Sequence, residues 1–172
     1  MDIAPVIRSL ANFPSVLRPI VADLTDAEAR WKPANGAWSV LEIVTHLADE
    51  EVEDFRTRLR LTLEDPTAAW PGIDPEACAV ERRYNDGDLN EAVDRFVRER
   101  ETSIAWLKAL GDPRWDQAHP HPRIGSIAAG SLLASWGAHD MLHLRQIAKR
   151  RFELVQQAMT PYATGYAGQW SS

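Results

Sequence analysis

The stretch Ser126–Phe152, SIAAGSLLASWGAHDMLHLRQIAKRRF, decides how this chain is read. At 3.6 residues per turn, Ala129, Leu132, Trp136, His139, His143 and Ile147 fall on one arc, and Arg145, Lys149, Arg150 and Arg151 gather towards its end. The spacing predicts a long amphipathic helix closed by cations that suit the negative end of the helix dipole. Its distinctive content is a pair of histidines four residues apart on the face that should meet a core. Side chains at that spacing lie about 5–6 Å apart, and from there two imidazoles can reach one metal ion at about 2.0–2.1 Å. Two neutral core histidines bonded to their neighbours would give the same pattern, so spacing alone leaves both readings open.

Three more long helices precede this one. Ile3, Val6, Ile7, Leu10, Phe13, Leu17, Ile20, Val21 and Leu24 share a face, with Pro14 and Pro19 inside the run predicting a kink or break near Phe13. Thr25 and Glu28 can cap one short further turn before Trp31, Lys32 and Pro33 end it. Ser39 and Glu42 form a second capping box, opening a helix from Val40 to about Leu63 whose stripe is Val40, Leu41, Val44, Leu47, Ala48, Val52, Phe55 and Leu59. Glu64 to Gly87, with three prolines, reads as a long connection, either a functional lid or disordered. Asp88 with Glu91 opens the third long helix on Leu89, Val93, Phe96, Val97, Ile104, Leu107 and Leu110, which Gly111 and Pro113 close. No strand run stands out. The expected fold is therefore all-α, a four-helix bundle over residues 1–152, with a tail over 153–172 that packs through Tyr162, Tyr166 and Trp170 or extends away.

Charge and composition remove several function classes. A formal net charge of −6 repels a phosphate backbone, so nucleic acid is not the expected partner. The weakly polar stretch Ser126–Ala138 is too short to span a bilayer, which takes about 20 apolar residues. The start of the chain lacks a basic segment followed by an apolar one, and the single Cys78 cannot close an intrachain disulfide. A soluble cytoplasmic protein is the expectation. Cys78 has no neighbouring His or tight basic cluster to activate it as a nucleophile.

A third histidine, His46, sits on the capped second helix, about 60° outside Ile43 on an ideal wheel and so at the margin of the apolar arc. Asp49, Glu50 and Glu53 crowd that margin, which reads either as a solvated acidic face or as the wall of an open pocket facing the fourth helix. In the second case His46 is a third metal ligand. Glu50, one turn on, can take a proton or hold an imidazole, and Asp49 can do the second. His119 and His121 alternate with Pro120 and Pro122 and read as a rigid turn. The basic end at Arg145 to Arg151 reads as a dipole partner or an anion site.

Trp38 and Ser39 before a helix carrying His46, Leu47 and Asp49, then His121, Pro122 and Gly125, then His139, Asp140, His143, Gln146 and Ile147 in order, resemble the DinB-like superfamily from about Leu10 to Arg150. The resemblance implies a four-helix bundle in which His46, His139 and His143 bind a divalent metal, with zinc, nickel, iron or manganese all compatible. It implies a homodimer and a small-molecule substrate, and it links the chain to enzymes that use a low-molecular-weight thiol as cosubstrate. The first functional expectation is therefore a thiol-dependent S-transferase, with Gln146 bonding the bound nucleophile or steadying a ligand. A metal-dependent hydrolase is the enzymatic alternative, and a stress-related binding protein clipped by its metal is the non-catalytic one.

Overall fold

The computed structural model of the protein describes residues 2–170. Its first helix, α1 (Ala4–Val21), begins where Asp2 accepts from the Ala4 amide at 3.0 Å and where Pro5 needs no hydrogen-bond partner. The expected break near Phe13 does not occur. Pro14 deprives the Leu10 carbonyl of its helical donor, and the Arg100 guanidinium on another helix fills the gap, its Nη1 donating to Leu10 O at 3.0 Å. The freed carbonyl has become a tertiary contact.

The capping boxes at Thr25 and Ser39 both form, opening α2 (Asp26–Arg30) and α3 (Val40–Glu50). The helix that α3 begins does not stay regular. Glu51–Arg56 widens into a π-helical turn, in which Thr57 Oγ1 donates to Val52 O at 2.7 Å, before α4 (Thr57–Glu64) resumes the α geometry. Such turns rotate the side chains that follow them and recur beside functional sites. The connection after Glu64 is neither disordered nor bare: Asp74 caps α5 (Pro75–Glu81), a 3₁₀ turn follows at Tyr84–Asp86, and Tyr84 is buried. After α6 (Leu89–Ala109) comes a second departure from the sequence reading, an antiparallel hairpin of β1 (Ala118–His121) and β2 (Gly125–Ala128). The last helix, α7 (Ala129–Ala158), thus starts three residues later than Ser126 and continues past the expected end at Phe152. Trp170 packs back on it, 5.5 Å from the Phe152 ring, whereas Tyr162 and Tyr166, expected to pack with it, are exposed.

Four helical columns, α1, the 40–64 run, α6 and α7, make the bundle. One apolar cluster unites Phe13, Leu17, Ile43, Leu47, Phe96 and Ile147, and a second unites Leu10, Phe55, Leu59, Leu107, Leu133 and Trp136. Gly137 lets α7 close on α1, since a Cβ there would meet Val6 Cγ1 at 3.2 Å. Where the two clusters meet lies a buried polar layer. Arg100 bonds Asp140 twice, at 2.7 and 2.8 Å, and Glu51 at 2.9 Å, while Trp136 Nε1 donates to the other Glu51 oxygen at 2.9 Å. Among the described residues, no helix is long and apolar enough to cross a membrane.

Candidate metal centre

The three histidines converge. One ring nitrogen from each of His46, His139 and His143 lies within 4.8 Å of the others, so α3 and α7 together present a compact three-nitrogen donor set. The ring centroids are 4.2 Å apart for His139 and His143, 4.7 Å for His46 and His143, and 5.4 Å for His46 and His139. His46 is only 5% exposed, which corrects its placing at a solvent margin. The wheel misplaced it because α3 is enclosed on all sides: every residue of α3 except Thr45 is buried, so it has no solvent face against which to define an arc.

Burial also fixes the chemical state of the rings. His46 is pushed down to about 3 by its burial and by the neighbouring His143, against a small opposing effect of Asp49. His139 falls further for the same reason, with His143 and His46 adding to burial, and burial lowers His143 too. All three are neutral at physiological pH, the form in which imidazole offers a lone pair. His143 Nδ1 lies 2.8 Å from Gln146 Oε1, so that nitrogen carries the proton and Nε2 presents its lone pair to His139 Nε2, 2.9 Å away. Gln146 thus bonds the nitrogen of His143 that faces away from the other two rings. Trp38 packs on His46 at 4.8 Å and Phe55 edge-on to His139 at 4.9 Å, leaving the rings little freedom.

This donor set fits a divalent ion. Nitrogens bound to a tetrahedral ion at about 2.0–2.1 Å stand about 3.3 Å apart, a separation reached by small rotations of the three rings. An outer partner such as Gln146 on a ligand's far nitrogen is the usual companion of metal-binding histidine.

The two acidic candidates part company. Glu50 Oε1 lies 3.8 Å from His46 Nδ1, at the wall of a cavity of about 550 Å³ whose lining includes all three histidines, Trp38 and Gln146. Its burial, and the hydrogen bond that its protonated carboxyl donates to Asp54, push the Glu50 carboxyl up to about 8. Asp49 points elsewhere. Burial would raise its carboxyl, but Tyr84, Arg95 and Arg82 bond it and hold it below the usual carboxylate range, so it anchors the 64–87 connection rather than an imidazole. Pro75 and Glu76 from that connection reach the cavity wall, where Glu76 accepts from Trp38 Nε1 at 3.2 Å.

The other sequence candidates lie apart. His119 stacks on Trp70 at 4.1 Å, with its Nδ1 2.9 Å from Pro66 O, in keeping with a structural turn. The sequence reading missed Glu51, Arg100 and Asp140 as a buried unit, and it did not place Arg150 in the cavity wall. Each of the first three sits four residues after a core residue of its own helix (Leu47, Phe96 and Trp136), a signal that was there to be read.

A sequence model of the DinB superfamily matches residues 10–147. The chain belongs to the DinB superfamily. The four-helix bundle accords with that membership. A protein of Oceanobacillus iheyensis provisionally named a metal-dependent hydrolase is 26% identical over 150 residues, covering 85% of this chain and 83% of the relative. YfiT of Bacillus subtilis, provisionally named in the same way, is 24% identical over 148 residues, covering 84% of this chain and 83% of the relative. The solved structure of YfiT, described as a probable metal-dependent hydrolase with an unusual four-helix bundle topology, superposes with a TM-score of 0.79 at 22% identity, covering 88% of this chain and 86% of that one.

Proposed function

We propose that His46, His139 and His143 hold a divalent metal ion and that the protein is a metal-dependent hydrolase of a small molecule bound in the adjoining cavity. The observation that carries this reading is the convergence of three neutral imidazoles, two buried and that of His139 partly so, at the wall of that cavity. Three neutral ligands leave the ion its full charge, so when bound it would supply Lewis acidity and lower the pKa of a nucleophile beside it. The names of the relatives favour water as that nucleophile, and Glu50 in the cavity wall is the carboxyl within reach to take or return a proton. Trp38 and Phe55 hold the rings, and Gln146 fixes the tautomer of His143. A thiol in place of water would make the same site a low-molecular-weight-thiol S-transferase, the reading that the family resemblance suggests. The homodimer belongs to the same proposal: Met141 and Leu142, 45% and 58% exposed, leave apolar surface on α7 for a second copy. Light scattering at twice the monomer mass would support it.

Metal content by mass spectrometry on wild type and on His46→Ala, His139→Ala and His143→Ala tests the site. About one equivalent in wild type and none in the variants is expected, and no uptake after reconstitution would overturn it. The metal-loaded protein is then assayed on ester, amide and phosphoester panels with and without added thiol. Turnover without thiol, absent in His143→Ala, is expected. Turnover only with thiol would replace hydrolysis by transfer, and no turnover alongside a large loss of melting temperature on chelation would leave a metal-clipped binding protein.

A further inference from the structure

Arg150 lies about two turns beyond His143 on α7 and belongs to the stripe that carries His139, His143 and Gln146, so it reaches the same cavity wall. The residue is only 7% exposed, and its buried Nη1 donates no hydrogen bond among the described residues. Glu153 Oε2 stands 3.0 Å from Nη1, an ion pair by distance whose angle makes no hydrogen bond, and that oxygen likewise lacks a donor. Glu153 is shared besides with Lys149, whose Nζ lies 3.6 Å away. The contrast is with Arg100, buried to a similar degree, which donates to two carboxylates and a carbonyl. A buried guanidinium with an idle donor is an expensive arrangement unless something that enters the cavity completes it.

The guanidinium offers a planar fork of N–H donors, which matches the two oxygens of a carboxylate. Of the two acidic side chains in the same cavity wall, Glu76 accepts from Trp38 and Glu50 faces His46, so neither serves as the partner of Arg150. Seven residues of helix separate Arg150 from His143, a rise of about 10 Å, which sets the scale of the molecule that would touch both. We infer that Arg150 anchors the carboxylate of the substrate, and that the substrate class is a small carboxylic acid whose other end reaches the three histidines. The position of that other end rests on the function proposed above, whereas the carboxylate contact rests on Arg150 alone.

The test is calorimetric titration of zinc-loaded protein with 6-mercaptohexanoate and with 6-mercapto-1-hexanol, two probes of equal length that differ in the carboxylate. Wild type should bind the carboxylate at least tenfold more tightly. Arg150→Gln should lose that preference while retaining its zinc, Arg150→Lys should keep part of it, and Glu153→Gln, which removes the competing anion, should keep or strengthen it. An equal preference in wild type and Arg150→Gln overturns the inference and leaves the metal reading intact. If wild type takes up no zinc, the proposed function fails, and Arg150 is then judged on metal-free protein with hexanoate against 1-hexanol. A carboxylate preference lost in Arg150→Gln would still support the anchor, and its absence in wild type would overturn it.

Discussion

Arg100→Met is the substitution whose cost can be worked most directly from the structure. The side chain is 2% exposed and donates four hydrogen bonds, to Glu51 at 2.9 Å, to Asp140 at 2.7 and 2.8 Å, and to Leu10 O at 3.0 Å. Methionine fills much of the volume and satisfies none of these. Removing one partner of a buried ion pair costs about 3–5 kcal/mol, because a buried charge is left uncompensated, and an orphaned carbonyl adds about 1–3 kcal/mol. Relaxation will recover some of this, so a loss of about 4–6 kcal/mol is expected, a large share of the about 5–15 kcal/mol that holds a typical domain together. Urea unfolding of metal-free protein at pH 7, followed by tryptophan fluorescence, measures it. Neutralising the acids together, in Arg100→Met with Glu51→Gln and Asp140→Asn, should restore about half, since the uncompensated charges are then gone while the new amide oxygen at position 51 can still accept from Trp136. The sign with pH is also fixed. Burial raises the Asp140 carboxyl to about 6 against the opposing pull of Arg100, and losing the guanidinium removes that pull, so the deficit of Arg100→Met relative to wild type should shrink as pH falls from 7 to 5. A loss below about 1 kcal/mol, or a deficit independent of pH, would refute the claim that this layer is held by charge. The layer also matters to the site, because Glu51 follows Glu50 at the end of α3 and Asp140 follows His139 on α7, the two helices that carry the histidines.

Gln146→Leu removes the partner of His143 Nδ1 without touching a donor nitrogen, and should weaken zinc binding by about 10- to 100-fold in a chelator competition; unchanged affinity would deny Gln146 an orienting role. Asp49→Asn should leave zinc affinity within about twofold, because Asp49 faces Tyr84, Arg82 and Arg95, but should cost about 1–3 kcal/mol in urea unfolding; a large loss of zinc would return Asp49 to the site. In the metal-free protein the histidines, depressed from 6.5, contribute stability that is lost as pH falls below 6.5, while Glu50, raised from 4.5 to about 8, contributes stability that is lost as pH rises towards 8. Stability should therefore peak near pH 6.5 and decline by about 1–2 kcal/mol by pH 8, a decline that Glu50→Gln abolishes and that would otherwise have to be assigned elsewhere.

How much of this the sequence carries depends on the range of the interaction. Capping boxes and apolar periodicity are local, so the starts of α2, α3 and α6 and the pairing of His139 with His143 were legible to within a few residues. The hairpin was not, since four-residue strands holding two histidines and a proline show too little alternation to register. Pro14 was misjudged because the remedy for its missing hydrogen bond comes from Arg100, remote in sequence, and His46 because a wheel assumes a solvent face that α3 lacks. Periodicity left His46 open between a solvated face and a third candidate ligand, and the family resemblance was what favoured the second.

The buried polar layer teaches something different, because its signal was present but divided among three helices. A charged residue on one apolar stripe reads as an error of register or a helix edge, and taken alone Glu51, Arg100 or Asp140 says no more than that. Yet each stands four residues after a fully buried core side chain, and their signs are complementary. Burying any one charge without its partners would cost several kcal/mol, on the order of the whole stability of a small domain. Three such placements therefore predict one another: if the stripes face a common core, the charges on them must meet. The same logic, applied to Arg150 on the histidine stripe of α7, finds among the described residues only Glu153, 3.0 Å away without a hydrogen bond, which is why a further partner is sought among the molecules that enter the cavity.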